Sequence, residues 1–122
     1  PEGGNWKSLP EALQPLAMGG AYASGGGKVG FYRRLSRSEP APTLVTSPVQ
    51  KATLLAHPTQ PRPLSVREYA RLQGFPDDWQ FHGKKTAVYR QIGNAFPPPV
   101  AYAVATQIFK ALSAKRLVQV AR

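Results

Sequence analysis

The chain has 122 residues, with 16 Lys plus Arg against six acids, a formal charge of +10 and no cysteine. These figures leave room for one domain with a modest core, and they exclude disulfides, thiolate metal sites and a cysteine nucleophile within this chain. The two histidines, His57 and His82, stand far apart, which argues against a metal site; no apolar run has the length of a membrane span and no signal peptide is visible at the start, so a cytoplasmic protein is the default expectation.

The positive charge runs along the whole chain and is densest at Arg33, Arg34 and Arg37. Such a field attracts a polyanion; a basic surface with no partner is the bland alternative. Thirteen Pro and eleven Gly cluster before residue 64 and at 97–99, so the first half should be loop-rich and short-stranded. The first residue is Pro1, not Met, and Gly3-Gly4-Asn5-Trp6 reads as a turn inside something larger. A processed, truncated or engineered N-terminus is expected.

In chain order, Ser8-Leu9-Pro10-Glu11 predicts a helix turn with Ser8 as N-cap and Glu11 in the capping-box position. Leu9, Leu13 and Leu16 give it an apolar side, and Gly19-Gly20 ends it. Gly25-Gly26-Gly27-Lys28 lacks the spacing and context of a phosphate loop and is read as a close-approach loop or a mobile tip. Residues 29–35, 43–46 and 52–55 look like short strands, and the brackets at Pro42 and Pro48 suit edge strands. Ser65-Val66-Arg67-Glu68 is a capping box that opens a helix ending at Gly74, with a turn at Pro76-Asp77-Asp78. A second helix is predicted within residues 93–116, entered through Pro97-Pro98-Pro99. Its apolar face carries Ala101, Val104, Ala105, Ile108, Ala111 and Leu112, with Lys110, Lys115 and Arg116 near its end.

Two stretches resemble the ninth and tenth conserved motifs of DNA cytosine-5 methyltransferases of bacterial type. They are Arg62-Pro63-Leu64-Ser65-Val66-Arg67-Glu68 continuing to Arg71-Leu72-Gln73-Gly74-Phe75-Pro76, and Tyr89-Arg90-Gln91-Ile92-Gly93-Asn94-Ala95-Phe96-Pro97-Pro98. A weaker third, Gly30 to Leu35 with Pro40 to Val45, resembles the target-recognition segment that precedes the ninth motif. The resemblance covers nearly the whole chain, and it implies an α+β fold: a loop-rich recognition region of short strands (1–62), a scaffold helix and turn (63–80), then a cofactor-closing segment and C-terminal helix (81–122). That last helix would pack on a missing Rossmann-like catalytic domain.

The resemblance also implies partners and roles. Double-stranded DNA would lie against two loops, residues 25–34 and 43–50, with the target cytosine rotated out of the stack. Arg33 and Arg34 suit guanine edges or phosphates, and Thr43 stands where the family places a threonine on the DNA backbone; an ordinary strand residue is the alternative for it. Lys28, Tyr32, Ser47 and Lys51 are lesser candidates. Ser65, Arg67, Glu68 and Arg71 are expected to be structural. Asn94 and Ala95 match positions that bond the methionyl part of S-adenosylmethionine, and free N–H groups at a helix start would suit its carboxylate; a turn and cap is the alternative for Asn94.

The family's cysteine thiolate, which adds to carbon 6 of the cytosine, has no counterpart here. The chain alone is therefore expected to be inactive, whether a fragment or one subunit of a split enzyme, with the N-terminal catalytic domain or subunit as its partner. No metal and no membrane are expected. The rival from another class is a stand-alone basic DNA-binding module; a basic structural protein of a ribonucleoprotein leaves Gly93-Asn94-Ala95 unexplained.

Overall fold

A computed structural model describes residues 1–24 and 32–120, with 114–120 by backbone alone. The chain opens on a 3-10 turn, Trp6–Ser8, capped by Asn5: its side chain accepts from the Lys7 N–H at 2.9 Å, and the Ser8 hydroxyl accepts from the Asn5 N–H at 3.3 Å. Ser8 thus closes a capping box begun three residues earlier and starts no helix, because Asn5 is already the acceptor at the turn. A second 3-10 turn, Glu11–Leu13, leads into α1 (Gln14–Met18), which ends at Gly19 with φ +57°. Gly19 closes the helix as predicted, and one more 3-10 turn, Gly19–Ala21, follows. Ala17 and Met18 are buried, while Leu13 and Leu16 face solvent; the apolar side expected from the leucines is largely uncovered.

Strand structure is sparser than the sequence suggests. Two residues, β1 (Arg33–Arg34), pair in parallel with β2 (Leu55–Ala56), Arg33 opposite Leu55 and Arg34 opposite Ala56. Single antiparallel bridges join Asn5 to Arg33 and Ala56 to Pro63. Of the strand expected at 29–35, residues 29–31 lie outside the described residues. The run 43–46 forms no strand; Pro42 and Pro48 supply no N–H to a ladder, and the Val45 carbonyl is taken by a side chain. The run 52–55 begins as a 3-10 turn, Lys51–Thr53, and only its last residue enters β2.

The second half is helical. Helix α2 (Val66–Gln73) has the predicted capping box between Ser65 and Glu68 and stops at Gly74, left-handed with φ +89°. After the turn at 76–79 comes α3 (Lys85–Asn94), which the sequence reading missed, and then α4 (Pro98–Val120). Three helices, not two, follow residue 63 among the described residues. Helices α2 and α3 pack through Tyr69 and Tyr89, edge to face at 5.5 Å, and the Tyr89 hydroxyl donates to the Leu64 carbonyl at 2.7 Å. Around them Leu35, Leu55, Leu64, Ala70, Val88 and Ile92 complete a small core, with Leu44, Val66, Phe75 and Phe81 against it.

Helix α4 stands outside this core. Tyr102, Val104, Ile108, Phe109 and Leu112 are each about half exposed or more. At about 100° per residue these and Ala101, Ala105 and Ala111 spread over roughly 180° of the circumference, wider than the single stripe the spacing predicted, because Tyr102 and Phe109 extend it on one side.

Candidate functional site

Helix α2 ties two separate segments together. Its Tyr69 hydroxyl donates to the Val45 carbonyl at 2.5 Å, and one turn later the buried Gln73 amide donates to the Ala95 carbonyl. Positions four apart share a helix face, so one face of α2 grips both the segment 43–46 and the exit of α3. Gly93 completes the junction. A Cβ there would lie 2.5 Å from the Val45 oxygen and 2.9 Å from the Thr46 Cα, so only glycine lets the two backbones approach this closely.

These contacts leave an open hollow of about 420 Å³ with Thr43 and Leu44 on one wall and Gly93, Ala95, Phe96 and Pro97 on the other, floored by Leu72 and Gln73. Thr43 is exposed at its lip, and the structure brings it together with Ala95. Asn94 is the exposed last residue of α3, and the Ala95 N–H bonds back to the Ile92 carbonyl at 3.1 Å. The helix-start argument for this stretch is therefore corrected: Asn94 sits at a helix end, and the first positions of α4 are prolines without N–H groups. As a fit for the methionyl zwitterion, the exposed Asn94 amide can both donate and accept. Both backbone groups of Ala95 are engaged internally.

The other sequence candidates are scattered. Lys28 lies outside the described residues. Tyr32 has a left-handed φ of +44° and lines, with Arg33 and Arg34, a hollow of about 350 Å³ that also meets Asn5 and Leu54. Arg34 donates to the carbonyls of His57 at 2.6 Å and Gln60 at 2.7 Å, so its guanidinium holds the turn 57–60. Arg33 makes a 3.4 Å pair with the exposed Glu39, and its Nε is buried with no hydrogen-bond partner among the described residues. Lys51 is exposed at the start of its 3-10 turn, and half-buried Ser47 faces the start of α3.

The residues expected to be structural form the frame of α2. Glu68 accepts a two-pronged bond from Arg62, both arms at 2.8 Å, and also caps Ser65 N–H at 2.8 Å. The Arg62 guanidinium holds the Glu68 carboxyl far below the usual carboxylate range, with burial opposing. Arg71 grips Asp77 at 2.7 and 2.8 Å and lowers that carboxyl too. Arg67 makes no ion pair among the described residues; it donates to the Pro76 and Trp79 carbonyls at 3.1 and 3.0 Å and lies over the Phe81 ring. Sequence reasoning missed Tyr69, Gln73 and Arg62 as organising residues. The polar Gln73 four residues after Tyr69, on a helix that otherwise turns apolar groups inward, was the available signal.

A family model for the C-5 cytosine-specific DNA methylases matches residues 7–110. The chain belongs to this family. It is 49% identical over 114 residues to the type II methyltransferase M.PspPI of Psychrobacter sp. (strain TA137), covering 93% of the chain and 27% of that relative. With M.Eco47II of Escherichia coli it shares 50% over 108 residues, 88% of the chain and 26% of the relative. With M.Sau96I of Staphylococcus aureus it shares 54% over 101 residues, 83% of the chain and 24% of the relative. This C-5 cytosine methylase chain thus spans about a quarter of the length of the curated relatives it matches. Among its described residues no group of three or more His, Cys, Asp or Glu is placed to hold a metal ion, and no helix is long and apolar enough to cross a membrane.

Proposed function

We propose that the chain is the DNA-reading and cofactor-closing part of a DNA cytosine-5 methyltransferase acting on double-stranded DNA. The observation that carries this reading is the junction on α2, where one helix face holds the Thr43 segment through Val45 and the Asn94-Ala95 stretch through Ala95. On this reading DNA contact and cofactor closure would be fixed to one rigid element, as a methyl transfer between the two requires.

Residues 1–62 would read DNA, 63–80 serve as scaffold and 81–122 close the cofactor site. Thr43 would touch the strand beside the flipped cytosine, with Tyr32, Arg33, Ser47, Lys28 and Lys51 as further contacts; Arg33 would exchange its long pair with Glu39 for DNA. Arg34, like Ser65, Arg67, Glu68 and Arg71, would keep the frame. Asn94 would hold the methionyl part of S-adenosylmethionine, with Ala95 positioning it; the cofactor, when bound, supplies the methyl group that goes to carbon 5 of the base. With no cysteine the chain cannot form the covalent adduct at carbon 6, so it would be inactive alone. A Rossmann-like catalytic part carrying the thiolate would cover α4 and form the opposite wall of the cleft.

The test is reconstitution. The chain is mixed with a cysteine-bearing catalytic part of a close relative, duplex DNA and labelled S-adenosylmethionine. Methyl transfer that needs both proteins is the expected result. Tight, salt-sensitive binding of duplex DNA by the chain alone, with no methyl transfer on mixing, would instead make it a stand-alone binding module.

A further inference from the structure

We propose that a second hollow, between Ser47 and the first turns of α3, holds a phosphate of the DNA strand that passes Thr43. It is an open cavity of about 350 Å³ lined by Ser47, Lys84, Thr86, Ala87 and Arg90. This inference rests on the DNA-binding reading above and adds a site to it.

Four of the five lining side chains end in hydrogen-bond donors, two of them cationic, and none is a carboxylate. Neither the Lys84 nor the Arg90 side chain has an ion-pair or hydrogen-bond partner among the described residues, whereas Arg33, Arg62 and Arg71 each pair with an acid. Thr86 and Arg90 stand four apart on α3 and so project from one face. Ala87 is the one apolar wall, which gives a base nothing to stack on. Two cations and two hydroxyls around an open space suit a phosphodiester oxyanion.

Its place picks out DNA. Ser47 follows Thr43 by four residues on the segment that Tyr69 and Gly93 anchor, and four extended residues span at most about 14 Å. Phosphates follow one another at about 3.4 Å of axial rise along one strand. A strand touching Thr43 therefore brings another of its phosphates within reach of the hollow.

The test compares Lys84→Gln/Arg90→Gln with the charge-matched control Lys7→Gln/Lys110→Gln in the 122-residue chain, titrating a labelled duplex from low salt upward. One lost phosphate contact lowers the slope of log affinity against log salt by about 0.9, so over a fourfold rise in salt the variant should lose roughly 3.5-fold less affinity than the parent. The control should keep the parental slope, and Arg90→Lys alone should largely retain it. Because neither cation has a partner to lose, the melting temperature of the double variant should match the parent. An unchanged slope, or an equal fall in the control, overturns the phosphate hollow while leaving DNA binding intact. No binding by the parent at the lowest salt, either alone or in the reconstituted mixture, overturns the DNA-reading function and the hollow with it.

Discussion

Replacing Gly93 with Ala sets two opposing effects against each other, and the structure decides the sign. In an isolated helix the change is favourable by about 0.8–1 kcal/mol. Here the new methyl would lie 2.5 Å from the Val45 oxygen and 2.7 Å from its carbonyl carbon, and backbone on both sides cannot yield as a side-chain tip would. Overpacking of this kind costs about 1–3 kcal/mol. If the 43–46 segment moves away, the Tyr69 bond to Val45 is lost as well, at about 0.5–1.5 kcal/mol. The net expectation is a loss of about 1–3 kcal/mol, or a melting temperature lower by roughly 4–12 °C for a chain of this size. Differential scanning calorimetry reads it directly, with Gly20→Ala as the control, since a Cβ at Gly20 meets nothing within 4 Å. Methyl transfer in the reconstituted mixture should fall too, because Thr43 moves with its segment. A Gly93→Ala chain that melts at or above the parental temperature would refute the close-approach argument.

Other perturbations test the frame. Ser65→Ala removes the cap of α2 and should cost about 0.5–2 kcal/mol in urea unfolding, with sequence preference on DNA unchanged; an altered preference at full stability would sink the scaffold role. Arg34→Ala leaves the His57 carbonyl without its donor and the Gln60 carbonyl with the Arg62 N–H alone and should cost about 1.5–3 kcal/mol, with Arg34→Lys a poor substitute because it lacks the planar fork. Folding depresses the Glu68 carboxyl pKa, so its contribution is fully present above the unfolded value of about 4.3 and fades as pH falls through the lower folded value. Acid titrations should therefore show a stability loss that Glu68→Gln has already suffered and does not repeat. The exposed Ile108 and Phe109 on α4 predict self-association of the free chain, which sedimentation velocity should find reduced in Ile108→Gln/Phe109→Gln.

Legibility followed local chemistry. The capping box of Ser65 and Glu68 and the stop at Gly74 are specified within ten residues, and α2 forms where they place it. Helix α3 is hard to read from sequence because Lys84 offers no capping side chain and the family motif begins only at Tyr89; its legible signal is Val88, Tyr89 and Ile92, buried at helical spacing. The run 43–46 has strand residues but no strand, since its anchor is a tyrosine 24 residues away and not a neighbouring chain. The same holds at the site. The family resemblance pointed to Thr43 and Ala95, while the hollow they share depends on Gln73 and Gly93, whose roles exist only once the helices meet.

The hydrogen bonds by which α2 holds its two client segments end on main chain, since Tyr69 and Gln73 bind carbonyl oxygens, and only Leu44 of the first segment adds a side chain packed on the core. Such hydrogen bonding is indifferent to the side chains of the held segment at positions other than 44. If this segment reads DNA as proposed, Thr43 and Ser47 can therefore be exchanged to suit a different site while the junction on α2 stays as built. A designer grafting a foreign segment would need to keep the backbone path at Val45 and an apolar side chain at position 44.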